Sequence, residues 1–231
     1  MFNAPTNLPP PMPPWLGIAA ILGASRLLLA AGNEYTRRRH PSPETARKAL
    51  HIGMGTIFLA CPWLFDRSWP VLLLAAIYLS LLVARLYFTP LQYHVAGIIY
   101  GVQRQSLGEY YFPVSVAMLF TLSHGDALLF CVPLALLIYA DAAAALVGIR
   151  YGSRRFAILG GKSLEGCAAF AVTAFFTTHV PLLLSGRLSP TASLLAAGII
   201  ALMGAVVEAL CLNGLDNVLV PLLAFVLLGR F

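Results

Sequence analysis

The densest chemistry in this chain lies between Tyr139 and Gly166, where Asp141, Arg150, Arg154, Arg155, Lys162 and Glu165 stand together. Charged residues make up only 10% of the sequence, so the concentration calls for a cause. Asp141 sits in an apolar helical stretch, about two turns before its end. A carboxylate at the centre of a lipid-embedded helix costs about 2.5–3.5 kcal/mol on insertion scales, and residues carried at that cost usually face a cavity and serve function. Asp141, Ala145, Gly148 and Gly152 follow i, i+4, i+7, i+11 spacing and share one helix face. An acid followed by small residues lets another backbone or a ligand come close. A tight helix-packing seam with one hydrogen-bonded aspartate is the alternative.

The tail of the same stretch, Gly160-Gly161-Lys162-Ser163, resembles the end of a P-loop. Phe156 stands where G-x-x-x-x-G-K-[ST] needs glycine, and an apolar helix precedes the run instead of a strand. The Walker reading fails. Its physics survives in another form: glycine-rich backbone amides, a lysine and a helix N-terminus together suit phosphate. Ser163 is placed to cap a helix beginning near Leu164. An ordinary basic loop is the alternative, and Asp141 and Glu165 beside it weigh against that.

Three further clusters share this character. Arg47, Lys48 and His51 fall on adjacent faces at the mouth of an apolar helix, with Gly53 and Gly55 one turn deeper. A generic cytoplasmic anchor accounts for the two cations but not for His51. Arg104, Ser106 and Glu109 stand at the entry of another span, where Glu109 also suits the positive end of the helix dipole. Glu208 lies inside an apolar span with Asp216 and Asn217 just beyond it, an oxygen set able to hold Mg²⁺ with waters. Capping by Asp216 is the plain alternative. His94, His124 and His179 occur singly and read as core or interface residues. So do Cys61, Cys131, Cys167 and Cys211, which show no metal or redox spacing.

The elements that must position these groups are membrane helices. The chain is 59% hydrophobic with a mean hydropathy of +0.82, and apolar runs long enough to span a bilayer recur. We expect an all-α, polytopic transmembrane helical bundle with spans near 14–32, 49–64, 69–88, 108–122, 126–149, 165–184, 190–212 and 216–230. Two of these are short, so the count is seven or eight. Residues 1–13 form a proline-rich arm without Lys or Arg, which supports neither a signal nor a transit peptide. We expect residues 14–231 to form one transmembrane domain, with a cytoplasmic loop near 141–166 suited to phosphate.

Basic residues sort strongly by side. Arg37, Arg38, Arg39, Arg47, Lys48, Arg85, Arg104, Arg150, Arg154, Arg155 and Lys162 fall on one side, against Arg67, Arg187 and Arg230 on the other. The positive-inside rule puts the first group in the cytoplasm and the N-terminus outside. It also accounts for the net charge of +6 without any nucleic-acid partner. Carboxylates for a divalent metal, cations for phosphates and a lipid surround thus converge on the cytoplasmic face. Phosphoryl transfer depends on that kind of positioning and electrostatic stabilisation.

At this point the sequence resembles the polyprenol kinase family, which includes dolichol kinases, phytol kinases and yeast-type diacylglycerol kinases and is related to the phosphatidate cytidylyltransferases. The matching blocks are R-K-x-x-H (Arg47 to His51), R-x-S-x-G-E-x-x-F-P (Arg104 to Pro113) and D-A-x-x-A-x-x-G-x-x-x-G (Asp141 to Gly152). G-K-S-x-E-G (Gly161 to Gly166) and E-x(7)-D-N-x-x-x-P (Glu208 to Pro221) follow in family order. The resemblance implies a multi-pass enzyme that uses CTP or ATP, with Mg²⁺, to phosphorylate a lipid alcohol such as phytol, farnesol, geranylgeraniol or a polyprenol. Carried over, Lys162 contacts phosphates, and Asp141 and Glu165 hold metal or position phosphate. Mg²⁺ is expected on some of Asp141, Glu165, Glu208 and Asp216. Arg47, Lys48, Arg104, Glu109, Gly148, Gly152, Gly161, Ser163, Gly166 and Asn217 are the expected nucleotide-binding set. Asp141 by preference, or His51, orients or deprotonates the alcohol. A cytidylyltransferase making a CDP-lipid needs the same groups. An ion-coupled transporter is disfavoured, because such proteins place their acids near the midplane in repeated halves.

Overall fold

In the computed structural model, which describes residues 13–87, 107–156 and 161–231, prolines and short polar residues set where many helices begin. Helix α1 (Pro14–Arg39) carries Pro14 in its first turn, where a missing N–H leaves nothing unsatisfied. Ser42 Oγ accepts from Thr45 N–H at 3.2 Å and opens α2 (Pro43–Phe58). A short α3 (Cys61–Leu64) turns the chain into α4 (Trp69–Tyr87), and α5 (Gly108–Leu122) follows. Asp126 Oδ1 accepts from Leu128 and Leu129 N–H at 2.9 and 3.2 Å and starts α6 (Ala127–Ala135).

Pro133 lacks an N–H and crowds the Leu129 carbonyl, and the helix then widens into a π-helical turn at Leu136–Ala140. The N–H of Asp141 reaches back five residues to the Leu136 carbonyl, after which α7 (Asp141–Tyr151) is regular again. One inserted residue rotates all that follows by about 100°. The π turn therefore sets where Asp141 points. Because the helix runs on to Tyr151, Asp141 lies about 15 Å from its end, deeper than the two turns expected.

A two-residue antiparallel ladder follows, β1 (Arg155–Phe156) against β2 (Lys162–Ser163), in register Arg155 to Ser163 and Phe156 to Lys162. Ser163 then caps α8 (Leu164–Ser185), its Oγ accepting from Gly166 N–H at 3.1 Å, as its spacing suggested. Ser189 does the same for α9 (Pro190–Leu210), and α10 (Asp216–Leu228) completes the chain.

Helices α6 and α7 with their π turn form the axis of the molecule. Phe130, Leu134 and Ile138 pack against residues of α1, α2, α4 and α5. Val132, Leu136, Ala140 and Ala144, four residues apart, form a ridge against α8, α9 and α10. The segment Ala127–Tyr151 is accordingly 61% buried over its apolar window, against 22% for α8. Among the described residues four helices, Pro14–Arg39, Ala127–Tyr151, Leu164–Ser185 and Pro190–Leu210, are long and apolar enough to cross a membrane. α4 and α10 are shorter and apolar. Leu27, Leu184 and Leu202 are exposed on their outer faces, a coat suited to lipid and not to water. Trp15 packs on Trp69 at 5.1 Å where α1 and α4 begin, and Trp63 is exposed in the turn between α2 and α4. Tryptophans gathered at one level fit a bilayer interface.

The small-residue face after Asp141 admits a backbone. A Cβ on Gly166 would meet the Ala144 carbonyl at 2.8 Å, and one on Gly148 would meet Ser163 Oγ at 3.0 Å. Gly152 is closed off by Gly148 O and Ser163. Helices α7 and α8 thus approach through Gly148, Gly152 and Gly166. Gly166→Ala is expected to destabilise the protein by about 1–3 kcal/mol through overpacking, read as a lower Tm in detergent.

Candidate functional site

Helix ends from both halves of the bundle, together with the β1–β2 ladder, enclose a cavity of about 940 Å³. Its lining carries Arg47, Lys48, Arg85, Arg155 and Lys162 against Glu44, Glu109, Asp141, Glu208 and Asp216, five cations and five anions. The lining is close to neutral. A polyanion entering it must either displace carboxylates from their cations or bring a cation of its own.

One wall joins α2 to α7. Glu44, Arg47 and Lys48 share a helix face by i, i+3, i+4 spacing. Arg47 holds Glu44 with two bonds, Nε at 2.9 Å and Nη2 at 2.5 Å. Lys48 Nζ donates to Asp141 Oδ2 at 2.6 Å, and the lysine side chain is only 4% exposed. His51 stands one turn deeper, its Nε2 3.6 Å from the same carboxylate oxygen. That nitrogen donates to the Leu137 carbonyl, in the π turn, at 3.0 Å, and the ring packs edge-on against Phe112. Its proton is therefore aimed at backbone. His51 buttresses Asp141 from behind, and it is absent from the cavity lining.

The other wall joins the ladder to α9 and α10. Lys162 Nζ lies 2.8 Å from Glu208 Oε1 and 3.2 Å from Asp216 Oδ2, and it also donates to the Glu208 backbone carbonyl. Burial by itself pushes the Lys162 pKa down, but the Glu208 and Asp216 carboxylates outweigh it and hold the amine above its ordinary 10.5. The group is an ammonium at neutral pH. Its contribution to stability is full below about 10.5 and disappears as pH rises through the folded value. The Tm difference between the wild type and Lys162→Gln should hold constant from neutral pH to about pH 9.5 and shrink above about pH 10.5.

The remaining groups sort by what they touch. Asn217 lines the cavity, yet its Nδ2 donates to the Gly108 carbonyl at 2.9 Å and Ser115 Oγ donates to its carbonyl at 2.5 Å, clamping α10 to α5. Glu109 pairs with Arg85 at 2.7 Å, and Arg85 Nη1 is buried without a hydrogen-bond partner among the described residues. Gly161, at φ 78°, is a turn glycine with open space where a Cβ would stand. Ser163 and Gly166 line the cavity as well as starting α8. Glu165 does not line it: the carboxylate accepts from Ser153 Oγ and, at 3.4 Å, from Arg154 N–H, tying α8 to the end of α7. Gly152 lies in the helix seam, and Arg104 lies outside the described residues.

Among the described residues no three His, Cys, Asp or Glu side chains gather as a ready metal cage. Glu208 and Asp216 form a carboxylate pair around one ammonium, with Asp141 across the cavity. Mg²⁺ is usually held by one or two carboxylates plus phosphate oxygens, so the pair fits the ion only together with a phosphate ligand.

Sequence reasoning passed over Glu44, Arg85 and Arg155 as site residues. Arg155 donates to the carbonyls of Gly148 at 3.2 Å and Gly161 at 3.3 Å. Arg85 and Arg155 also fit the clustering of basic residues on one side, and Glu44 stands in the first turn of α2. Cys211 is buried, as expected, and Cys167 partly buried; both also line the cavity, with Cys167 Sγ 3.9 Å from Glu208 Oε2. Cys61 is fully buried in the core, and Cys131 is partly buried.

The chain is 31% identical over 224 residues to the phytol kinase of Synechocystis sp. (strain ATCC 27184 / PCC 6803 / Kazusa), covering 94% of this chain and 91% of that protein. No family model matches it, and no solved structure does.

Proposed function

The chain belongs to the polyprenol and phytol kinase family, and from that premise we propose that it moves the γ-phosphoryl group of CTP or ATP onto the hydroxyl of an isoprenoid alcohol in the cavity between Asp141 and Lys162. It is a phosphotransferase with an alcohol acceptor. The observation that carries the site is convergence: five separated stretches of the sequence, 44–48, 85, 109, 141–162 and 208–216, place charged groups on one cavity at one end of an apolar bundle. A cavity of about 940 Å³ has room for a nucleotide and the head of an alcohol.

The division of labour follows from the two walls. Lys162, an ammonium at working pH, neutralises charge on the transferring phosphoryl group, and Arg155 and Arg47 stand at the rim for the remaining phosphate oxygens. Asp141 orients the acceptor hydroxyl and takes its proton as the O–P bond forms and the nucleoside diphosphate leaves. Lys48 pairs with the Asp141 carboxylate at 2.6 Å and His51 buttresses it from behind. Glu208 and Asp216 would hold Mg²⁺ together with a phosphate ligand, and the ion would supply charge neutralisation there. Because His51 acts through Asp141, His51→Gln should lower kcat about tenfold, far less than loss of Asp141, and leave the nucleotide KM within twofold.

The basic end of the bundle is the cytoplasmic face on this reading, and the α1, α2, α4, α5, α6–α7, α8, α9 and α10 passes give eight crossings with the N-terminus outside. Purified protein in mixed micelles with Mg²⁺ and a γ-labelled donor tests the acceptor class directly. Label on phytol, geranylgeraniol or farnesol, and not on diacylglycerol, is expected. Preferential label on diacylglycerol contradicts the isoprenoid assignment.

A further inference from the structure

A second hollow lies on the outside of the bundle, an apolar groove of about 490 Å³ between α4 and α5. Its floor is made by buried Ala75 and Ala117, and its rims by exposed Leu72 and Val114. Small residues in the middle of two packed helices leave the trough. Thr121 also lines it, but its Oγ1 donates to the Ala117 carbonyl at 2.8 Å, so this wall offers a methyl and no free hydroxyl.

The groove and the charged cavity share one face of α5. Leu107 and Tyr110 line the cavity, while Val114, Ala117 and Thr121 line the groove. Their spacing of i, i+3, i+7, i+10, i+14 puts all five on one stripe of the α5 entry and helix. One face of α5 thus leads from the charged cavity onto hydrocarbon. From Tyr110 to Thr121 the helix rises about 16–17 Å, of the order of an extended diterpenyl chain.

We propose that the α4–α5 groove is the subsite for the isoprenoid tail of the acceptor alcohol, with the hydroxyl at the cavity end and the chain laid along Val114, Ala117 and Ala75. The proposal rests on the kinase reading and adds how the acceptor is measured. A tail lying on the outer face enters laterally from the bilayer, and chain length beyond the groove extends into lipid without selection. Length is discriminated only up to the reach of the groove.

Ala76 lines the groove and is exposed, so Ala76→Phe fills the trough without disturbing the core. Val114→Trp fills it from the opposite rim. Each variant should lower kcat/KM for phytol relative to a short isoprenoid alcohol by at least about tenfold. Leu202→Phe, on the lipid-facing side of α9, should leave that ratio unchanged. An equal effect on long and short acceptors in the groove variants, or none, overturns the proposal. Photo-crosslinking with a diazirine-bearing isoprenoid alcohol reads occupancy without turnover. Labelling of 72–79 or 114–122, competed by phytol and not by phospholipid, supports the groove. Labelling elsewhere, or equal competition by phospholipid, overturns it. Failure of the kinase reading is seen separately, as wild-type protein that transfers γ-label to no alcohol.

Discussion

Asp141→Asn lowers kcat by about 10²–10⁴-fold on this account, because the residue that orients the acceptor and receives its proton is lost. The substitution keeps size and one carbonyl oxygen, so the shape of the cavity survives. It also strips Lys48, 4% exposed, of its carboxylate. An unpaired buried ammonium costs about 3–5 kcal/mol, so Tm should fall as well. The double variant Lys48→Gln with Asp141→Asn separates the two effects, since it removes the stranded charge. Tm should recover in the double variant while activity stays low. Recovery of both would make the pair structural and place the chemistry elsewhere.

Lys162→Gln should reduce kcat/KM for the nucleotide by about 10²–10³-fold and leave the KM for the alcohol within twofold. The split is diagnostic, since Lys162 lies on the wall assigned to phosphate and away from the groove. Removing the ammonium also leaves Glu208 and Asp216 facing each other without the cation they shared. Glu208→Gln added to Lys162→Gln relieves that repulsion and should restore part of the Tm without restoring turnover. Coupling of this kind is expected between groups in one ion network. A Lys162→Gln protein with normal nucleotide KM and kcat would remove the phosphate role.

Much of this was legible because membrane helices announce themselves by length and apolarity. A helix occupies each expected span, although the one near 49–64 breaks at Ala60 ahead of Pro62 and its first helix begins earlier, at Pro43. Asp141, Lys162, Glu208 and Asp216 were legible because acids and bases are costly in apolar surroundings. Their pairing was not. Lys48 and Asp141 are 93 residues apart, and Lys162 and Asp216 are 54 apart. Such distances carry no periodic signal, and only the approach of α2 to α7, and of the ladder to α9 and α10, creates the contacts. The π turn hid the direction of Asp141, since Pro133 shows where a helix is disturbed and not how it recovers. Glu165 illustrates the converse. Its place beside Lys162 in sequence suggested a shared site, yet a strand residue and a first-turn helix residue point apart, and Glu165 bonds to Ser153 instead. The small-residue face through Gly148 and Gly152 is a place of close approach, filled by Ser163 and by the start of α8 at Gly166.

The clustering of ionisable groups at one end also bears on the reaction class. Glu208 and Asp216 are shared by one lysine, and Asp141 by another, in a lining with equal numbers of cations and anions. A site of that kind is suited to hold a polyanion that arrives with a divalent cation and to let go of a less charged product.

The most direct test of the central claim follows both phosphorus positions in one reaction. Purified wild-type protein is given CTP, or ATP, labelled at the γ-phosphate in one sample and at the α-phosphate in another, with Mg²⁺ and phytol in mixed micelles. The account predicts γ-label in the lipid product, α-label remaining in the nucleoside diphosphate, and loss of the transfer in Asp141→Asn. The α-label appearing in lipid when CTP and phosphatidate are supplied, with no γ-transfer to any alcohol, would contradict it and make the same cavity a cytidylyltransferase site.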